Sequence, residues 1–224
     1  MKQPSRELVF SIVSMIFFAI ITVLVFSKLT QSIDTSAALS INNSGLGDAG
    51  SLLLVLFSRY GREAVWGLVV LAMLLLGGKT TKLLAIELIL LLIIGVIIGS
   101  AAKMVLVRQR PFEVVNGIIL RVSPEYDSSY PSGHALIVSI GAVFCLSRFR
   151  QKSIAAVLAL EAGIVCYSRI YVGMHYPLDV ISAFLLGTTI ALVGANLLEK
   201  YLGRQLQELS EIAVKILKDG PINL

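Results

Sequence analysis

The sequence predicts an all-α, polytopic membrane protein with six transmembrane helices and short interfacial helices in the first outer loop. Of its 224 residues, 56% are hydrophobic and only 15% are charged, and the mean hydropathy is +0.86. Ordinary soluble domains carry roughly 25% charged residues, and a soluble fold of this length could not bury so much apolar surface. One domain is the ordinary expectation at this length, and we assign residues 1–224 to a single integral membrane domain.

Six apolar runs account for the predicted spans. The first, Leu8–Ser27, is followed by Lys28-Leu29 rather than by a small-residue cleavage site, which indicates an uncleaved membrane anchor. Three of the later runs are shorter than the roughly 17–25 residues usually needed to cross a bilayer. Flanking residues must therefore lengthen them, with Arg62 and Lys79 extending their charged ends towards water. The later runs are Ala64–Leu76, Leu83–Ala102, Ala135–Ser147, Ile154–Tyr167 and Val180–Leu198.

The distribution of cations sets the predicted orientation. The short loops Gly77–Lys82 and Arg148–Ser153 contain Lys and Arg but no acidic residue. By the positive-inside rule, both loops and both chain termini lie in the cytoplasm, and the loops after spans three and five face outward across the plasma membrane. The net charge of +5 does not indicate nucleic acid binding, because the cations are scattered in small groups.

The first outer loop and the C-terminal segment lie outside the predicted spans. In residues 28–63, Asp34 and Asp48 mark predicted helix starts, and the run Ser51–Phe57 is too short to cross the membrane. A re-entrant or interfacial helix is expected there. Residues 199–224 form a predicted cytoplasmic amphipathic tail, a surface-lying or partner-packing helix. Its apolar stripe and its predicted end are Leu202, Leu206, Leu209, Ile216 and Gly220-Pro221.

Residues 103–179 contain the chemically informative part of the chain. In its first motif, Lys103 and Arg110 are seven positions apart, a spacing that places two side chains on one helical face. Pro111 then disfavours helical continuation at Arg110. Two cations at a membrane boundary suit a multiply charged anion, although snorkelling alone would also explain them. Arg108 lies off that face and is expected only to snorkel.

The second motif is Tyr130-Pro131-Ser132-Gly133-His134, immediately before the fourth span. A helix that begins here directs free backbone N–H groups and the positive end of its dipole towards an anion. Gly133 allows the backbone to approach an oxyanion closely, and Ser132 can cap the helix or donate to the anion. A cap explains the serine but does not require the histidine beside it.

The third motif runs from Ser168 to Asp179, ahead of the sixth span. Pro177 suits the first position of a helix, so Asp179 falls in the first turn, where the dipole favours an ionised carboxylate. We expect Asp179 to bond one imidazole nitrogen of His175 and to leave the other free for nucleophilic attack. The other histidine of the chain, His134, is predicted on the same side of the membrane.

The three motifs together resemble the signature of the type 2 phosphatidic acid phosphatase and vanadium haloperoxidase superfamily. The pattern is K-x6-R-P, P-S-G-H and S-R-x5-H-x3-D, and no motif position departs from it. The six-span arrangement extends the resemblance over most of the chain. The matching residues are Lys103, Arg110, Pro111, Pro131, Ser132, Gly133, His134, Ser168, Arg169, His175 and Asp179.

The resemblance implies a role for each of these residues. His175 would attack phosphorus to form a phosphohistidine, Asp179 would orient it, and His134 would protonate the leaving oxygen and then activate water. Three cations and a helix end would neutralise charge as Mg²⁺ does in other enzymes, so no metal or other cofactor is expected. The groups that would hold the phosphoryl oxygens are Lys103, Arg110, Arg169, Ser132 and the backbone of Gly133.

The sequence therefore predicts metal-independent hydrolysis of a lipid phosphate or diphosphate at the outer membrane face. By resemblance, the substrate is a polyprenyl diphosphate such as undecaprenyl diphosphate, phosphatidylglycerophosphate or phosphatidate, with headgroup choice set by residues 112–130. Two alternatives stay open: a vanadate-dependent peroxidase, although those proteins are soluble, and a transporter that uses Glu161, an acid within an apolar span. The sequence also leaves a homodimer open.

Overall fold

In the described part of the chain, every element of regular secondary structure is a helix. The computed structural model describes residues 5–219, apart from the side chains of 210, 213 and 215–219. No strand occurs in that range, which confirms the all-α class. The helices are α1 (Arg6–Phe26), α2 (Gln31–Asn42), α3 (Gly47–Tyr60), a π-helical turn (Gly61–Val65), α4 (Trp66–Leu76), α5 (Lys79–Val105), α6 (Pro111–Val114), α7 (Gly133–Arg148), α8 (Lys152–Tyr171) and α9 (Pro177–Asp219).

Four of these helices are long and apolar enough to cross a membrane. They are α1, α5, α8 and the part Pro177–Leu209 of α9. Helix α7 is apolar but has 16 residues, and α4 has 11 and follows α3 through the π-helical turn. The polytopic membrane fold is therefore confirmed, whereas the count of six spans stays a prediction.

Helix α7 lies at the centre of the bundle. Helices α5, α8 and α9 pack against it, α1 packs on α9, and α3 packs on α8. A Cβ atom on Gly95 of α5 would lie 2.3 Å from Ile140 Cδ1, and one on Gly99 would lie 2.7 Å from Leu136 Cδ2. These two glycines therefore allow α5 and α7 to approach closely, as a G-x-x-x-G spacing predicts.

The first outer loop contains the expected helices, but one of them is not separate from the second span. Asp34 and Asp48 lie in the first turns of α2 and α3, as predicted. The run Ser51–Phe57 lies inside α3, which continues through the π-helical turn into α4. The chain stays helical between α3 and α4 because Arg62, Glu63 and the alanine after them are good helix formers.

The predicted tail is also continuous with the sixth span, because α9 runs through both. The intervening residues include Leu, Glu and Lys, which favour helix, and no Gly-Pro break separates the two parts. Of its apolar stripe, Leu206 is buried, whereas Leu202 and Leu209 are exposed. The Ile216 side chain and the predicted helix end at Gly220-Pro221 lie outside the described residues.

Candidate active site

The three sequence motifs meet at one end of the bundle. Lys103 lies in the last turn of α5, His134 in the first turn of α7, and Arg169 in the last turn of α8. The segments 106–132 and 172–176 connect these helix ends. The site is therefore built from helix termini and the loops between them, on a rigid helical frame.

Backbone hydrogen bonds hold the three motifs in register. The Ser129 N–H donates to the carbonyl of Arg108 over 2.8 Å, and the Ser132 N–H donates to the carbonyl of Asp179 over 3.1 Å. The turn between α8 and α9 depends on Gly173, whose φ of +83° lies in the left-handed region that favours glycine. The second motif is thus fixed to both the first and the third.

His175 is almost completely buried, and both ring nitrogens have partners. Its Nδ1 lies 2.8 Å from the carbonyl oxygen of Ser129, and its Nε2 lies 3.2 Å from Arg110 Nη1. A carbonyl only accepts, so Nδ1 carries the proton and Nε2 carries the lone pair. Burial and the positive charges of Arg110, Arg169 and Lys103 hold the pKa of His175 well below its ordinary value. The ring is therefore neutral, with a nucleophilic nitrogen that faces a cation.

Asp179 contacts His175 less directly than the sequence predicts. Its Oδ2 lies 3.6 Å from His175 Nδ1, which is too long for a hydrogen bond. The carboxylate instead accepts from the Tyr176 N–H over 2.9 Å, from the Ser129 hydroxyl and from Arg108. Because Ser129 bonds both Asp179 and the imidazole, it connects the two. The expectation of a direct bond was wrong, and Ser129 is a site residue that the motif does not contain.

Arg108 belongs to the site, so the expectation that it only snorkels was wrong. Its Nη1 lies 2.6 Å from Asp179 Oδ1, its Nη2 lies 2.7 Å from Asp34 Oδ2, and its guanidinium stacks 3.9 Å from the ring centre of Tyr176. Asp34 also accepts from the Leu178 N–H over 3.0 Å. Helix α5 ends before Arg108, so the side chain turns inward and neutralises two buried carboxylates. No local signal in the sequence pairs Arg108 with a residue 74 positions away.

Lys103 and Arg110 converge, but not by sharing a helical face. Helix α5 ends at Val105, and the backbone at Arg110 is extended. That shared-face prediction was wrong because the chain leaves the helix between the two cations. They meet instead at Asp127, whose Oδ2 lies 2.7 Å from Lys103 Nζ and whose Oδ1 contacts Arg110 Nη2.

Two carboxylates of the loop before the second motif pair with the motif cations. Glu125 bridges Arg110 and Arg169, at 2.8 and 3.0 Å, and Asp127 bridges Arg110 and Lys103. Burial raises the pKa of Asp127, but its bonds to Lys103 and Arg110 outweigh burial and lower it to about 2. The Arg110 and Arg169 side chains are 0% and 3% exposed, whereas those of Glu125 and Asp127 are 41% and 55% exposed. The buried cations of the site are thus paired with carboxylates that are open to solvent.

Arg169 retains an unused donor. Its Nη1 donates to the hydroxyl of Ser58 over 2.9 Å, but its Nε is buried and has no acceptor among the described residues. A buried charged donor without an acceptor is costly. This donor is therefore available to an additional acceptor.

The second motif forms the start of α7 as the sequence predicts. The Ser132 hydroxyl accepts from the Ala135 N–H over 3.4 Å, which caps the helix. Gly133 and His134 occupy the first turn, where free N–H groups favour an anion. His134 is buried against the other site residues and lines both cavities of the site.

Two cavities meet beside His134. The first cavity, about 400 Å³, has an apolar wall between α5 and α7 and a polar end at Lys103, Asp127 and Gly133. The second cavity, about 260 Å³, is more polar. Its cationic lining consists of Arg59, Arg62, Arg121 and Arg169. An apolar chain fits the first cavity and a charged group fits the end where the two meet.

The transporter alternative and the expectation that no metal is bound concern residues outside this arrangement. Glu161 is buried in α8, and neither carboxylate oxygen has a hydrogen-bond partner within the described chain. The described residues also contain no group of three or more His, Cys, Asp or Glu that could hold a metal ion. The buried acid on which the transporter alternative depends is therefore present.

Comparison with known proteins gives consistent matches. The PAP2 superfamily model matches residues 84–201. An undecaprenyl-diphosphatase from Sulfolobus acidocaldarius is 43% identical over 145 residues, which cover 65% of this chain and 69% of the relative. A transmembrane PAP2 type phosphatidylglycerolphosphate phosphatase from Bacillus subtilis has a TM-score of 0.70 at 19% identity, covering 85% of this chain and 96% of that one. Aquifex aeolicus LpxE has a TM-score of 0.60 at 25% identity, covering 70% and 90%.

Fold, site and relatives together define an integral membrane phosphatase. The chain belongs to the PAP2 superfamily, whose model matches more than half of it. The resemblance inferred from the three motifs is thereby confirmed.

Proposed function

We propose that the protein hydrolyses a polyprenyl diphosphate, such as undecaprenyl diphosphate, to the lipid monophosphate and inorganic phosphate. The observation that carries this proposal is the position of His175 Nε2, 3.2 Å from Arg110 Nη1 inside a cluster of three cations. The similarity to the Sulfolobus acidocaldarius undecaprenyl-diphosphatase supports a lipid diphosphate as the substrate. Lipid phosphates such as phosphatidylglycerophosphate and phosphatidate are the other members of the same substrate class.

In the first step, His175 Nε2 attacks the terminal phosphorus. An N–P bond forms while the bridging P–O bond breaks, and its electron pair stays on the lipid phosphate. Lys103, Arg110 and Arg169 neutralise the equatorial oxygens, which is the main requirement of phosphoryl transfer. The Nδ1 proton stays on the ring because the Nδ1–H group donates a hydrogen bond to the Ser129 carbonyl.

In the second step, water attacks the phosphohistidine. His134 removes a proton from the water, the N–P bond breaks, and its electron pair returns to His175. Inorganic phosphate then leaves the three cations, which can pair again with Glu125 and Asp127. With a monoester substrate, His134 would also protonate the leaving alkoxide in the first step, because such an oxygen is strongly basic.

The membrane setting fits a lipid substrate. The wall of the first cavity contains Gly95, Val96, Gly99, Leu136 and Ile137, which suit the start of an isoprenoid chain. The charge pattern of the loops supports an outward-facing site with cytoplasmic termini. The cations already present supply the neutralisation, so we propose a reaction without a metal cofactor.

A direct test uses the purified protein in detergent with excess EDTA. The substrates are undecaprenyl diphosphate, phosphatidylglycerophosphate and phosphatidate, and the measured quantity is released phosphate. The proposal predicts the fastest release from the diphosphate and essentially none from a His175→Gln variant. Release from none of the lipids, or activity that requires added Mg²⁺, would contradict it.

A further inference from the structure

A fourth cation, Arg62, lies at the site although it belongs to none of the three motifs. It lines both cavities, so it stands where the apolar chain space and the charged space meet. Its Nη1 lies 3.9 Å from the position that a Cβ atom on Gly133 would occupy, and Lys103 Cε lies 3.7 Å from the same point. Arg62 and Lys103 therefore both lie beside the first turn of α7.

The local backbone explains how Arg62 reaches this place. It lies in the π-helical turn Gly61–Val65, an irregularity that often occurs at functional sites because it redirects side chains. A Cβ atom on Gly61 would lie 2.3 Å from Val165 Cγ2, so the glycine lets this turn pack directly on α8. The turn is thus fixed by packing, and Arg62 projects from a rigid element.

Arg62, like Arg110, is paired with an exposed carboxylate. Its partner is Glu63, whose side chain is 55% exposed, while that of Arg62 is 33% exposed. Arg110 is paired in the same way with an exposed carboxylate, Asp127. An exposed ion pair between neighbouring residues contributes little and is readily exchanged for a more highly charged anion.

We infer that Arg62 binds the lipid-side phosphate of a diphosphate substrate and thereby sets the preference for diphosphates over monophosphates. The inference rests on the proposed function, in which Lys103, Arg110 and Arg169 hold the terminal phosphate beside His175. The lipid-side phosphate lies one bridging oxygen away, towards the apolar wall of the first cavity, where Arg62 lies. When the bridging P–O bond breaks, negative charge develops on that phosphate and Arg62 stabilises it.

A monophosphate does not place a second phosphate next to Arg62. Its single phosphate occupies the terminal position, and its leaving alkoxide needs a proton rather than a guanidinium. Removing the Arg62 charge should therefore weaken the binding of a diphosphate more than the binding of a monophosphate. If Arg62 only snorkels at the membrane surface, its removal should affect both equally.

The test compares Arg62→Gln with wild type and with Lys28→Gln. Lys28 is an exposed cation between α1 and α2 that lines neither cavity, so its removal controls for the loss of one positive charge. Two analogues with the same tail, farnesyl methylenebisphosphonate and farnesyl phosphonate, are titrated by calorimetry in detergent. The hydrolysis of farnesyl diphosphate is measured in parallel.

We expect Arg62→Gln to weaken binding of the bisphosphonate about 10- to 100-fold, as expected for the loss of hydrogen bonds to a charged group. Binding of the phosphonate should stay within about threefold of wild type, and Lys28→Gln should resemble wild type with both. Arg62→Lys should retain part of the bisphosphonate affinity, and the phosphonate titration shows that each variant is folded. Equal losses on both analogues would overturn the inference. If wild type binds both analogues but hydrolyses no diphosphate, the proposed function fails, while the ratio of affinities still decides the role of Arg62.

Discussion

Arg108 and Asp179 form a buried ion pair in which Arg108 Nη1 lies 2.6 Å from Asp179 Oδ1. The same guanidinium binds Asp34, so α2, the loop after α5 and the start of α9 are joined through one side chain. Substituting Arg108 with Met leaves two buried carboxylates without a cation. Removing one partner of a buried ion pair costs about 3–5 kcal/mol, and we expect the free energy of unfolding in detergent to fall by about that amount.

The control for this prediction is Arg148→Met. Arg148 pairs with Glu199, whose side chain is 65% exposed. A surface pair of this kind contributes about 0–1 kcal/mol, so the control should unfold nearly as wild type does in a denaturant titration. Equal stability of the Arg108 and Arg148 variants would show that Arg108 does not stabilise the site.

The pairing of Glu125 with Arg110 and Arg169 makes a prediction about phosphate affinity. Because the carboxylate occupies two cations that we propose bind phosphate, Glu125→Gln should strengthen competitive inhibition by inorganic phosphate about two- to tenfold. Glu113→Gln is the matched control, since Glu113 bonds the backbone N–H of Arg110 and not its guanidinium. Weaker inhibition in the Glu125 variant would mean that the carboxylate positions the cations for phosphate.

The lowered pKa of His175 predicts how the ring responds to pH. Burial and three nearby cations disfavour its protonated form, so the ring stays neutral well below its ordinary pKa of 6.5. In protein with ¹³C-labelled histidine, the His175 signal should not titrate between about pH 5 and 8. His175→Gln assigns that signal by its loss. A midpoint near pH 6.5 would contradict the proposed electrostatics of the site.

The charge pattern predicts which side of the membrane carries the site. Ser123 lies in the loop of the candidate site and Ser153 at the start of α8, and both are exposed. In intact cells, a cysteine at Ser123 should react with a membrane-impermeant maleimide, whereas one at Ser153 should react only after lysis. The reverse pattern would place the site in the cytoplasm.

The sequence predicted those parts of the protein that local patterns determine. The apolar runs, the Ser132 cap and the G-x-x-x-G face at Gly95 and Gly99 follow from helix geometry and appear in the structure. The relation of Lys103 to Arg110 could not be predicted, because a seven-residue spacing indicates a shared face only if the helix continues. Helix α5 ends between Lys103 and Arg110.

The network behind His175 was beyond sequence reasoning for a different reason. Ser129 acts through its carbonyl and its hydroxyl, and nothing in its residue type distinguishes it from other loop serines. The partners of Arg108 come from α2 and α9, far apart in the chain. Such pairs arise from tertiary packing, whereas the motif residues are identified by their spacing.

The most direct test of the central claim is to trap the covalent intermediate. Wild-type protein, His134→Gln and His175→Gln are mixed with undecaprenyl diphosphate carrying ³²P in its terminal phosphate and are quenched in alkali, where phosphohistidine is stable. We predict transient labelling of the wild type and accumulated labelling of the His134 variant, because His134 activates the water that removes the phosphate. The His175 variant should carry no label. Label retained without His175, or hydrolysis by wild type with no labelled protein in either wild type or the His134 variant, would contradict the account.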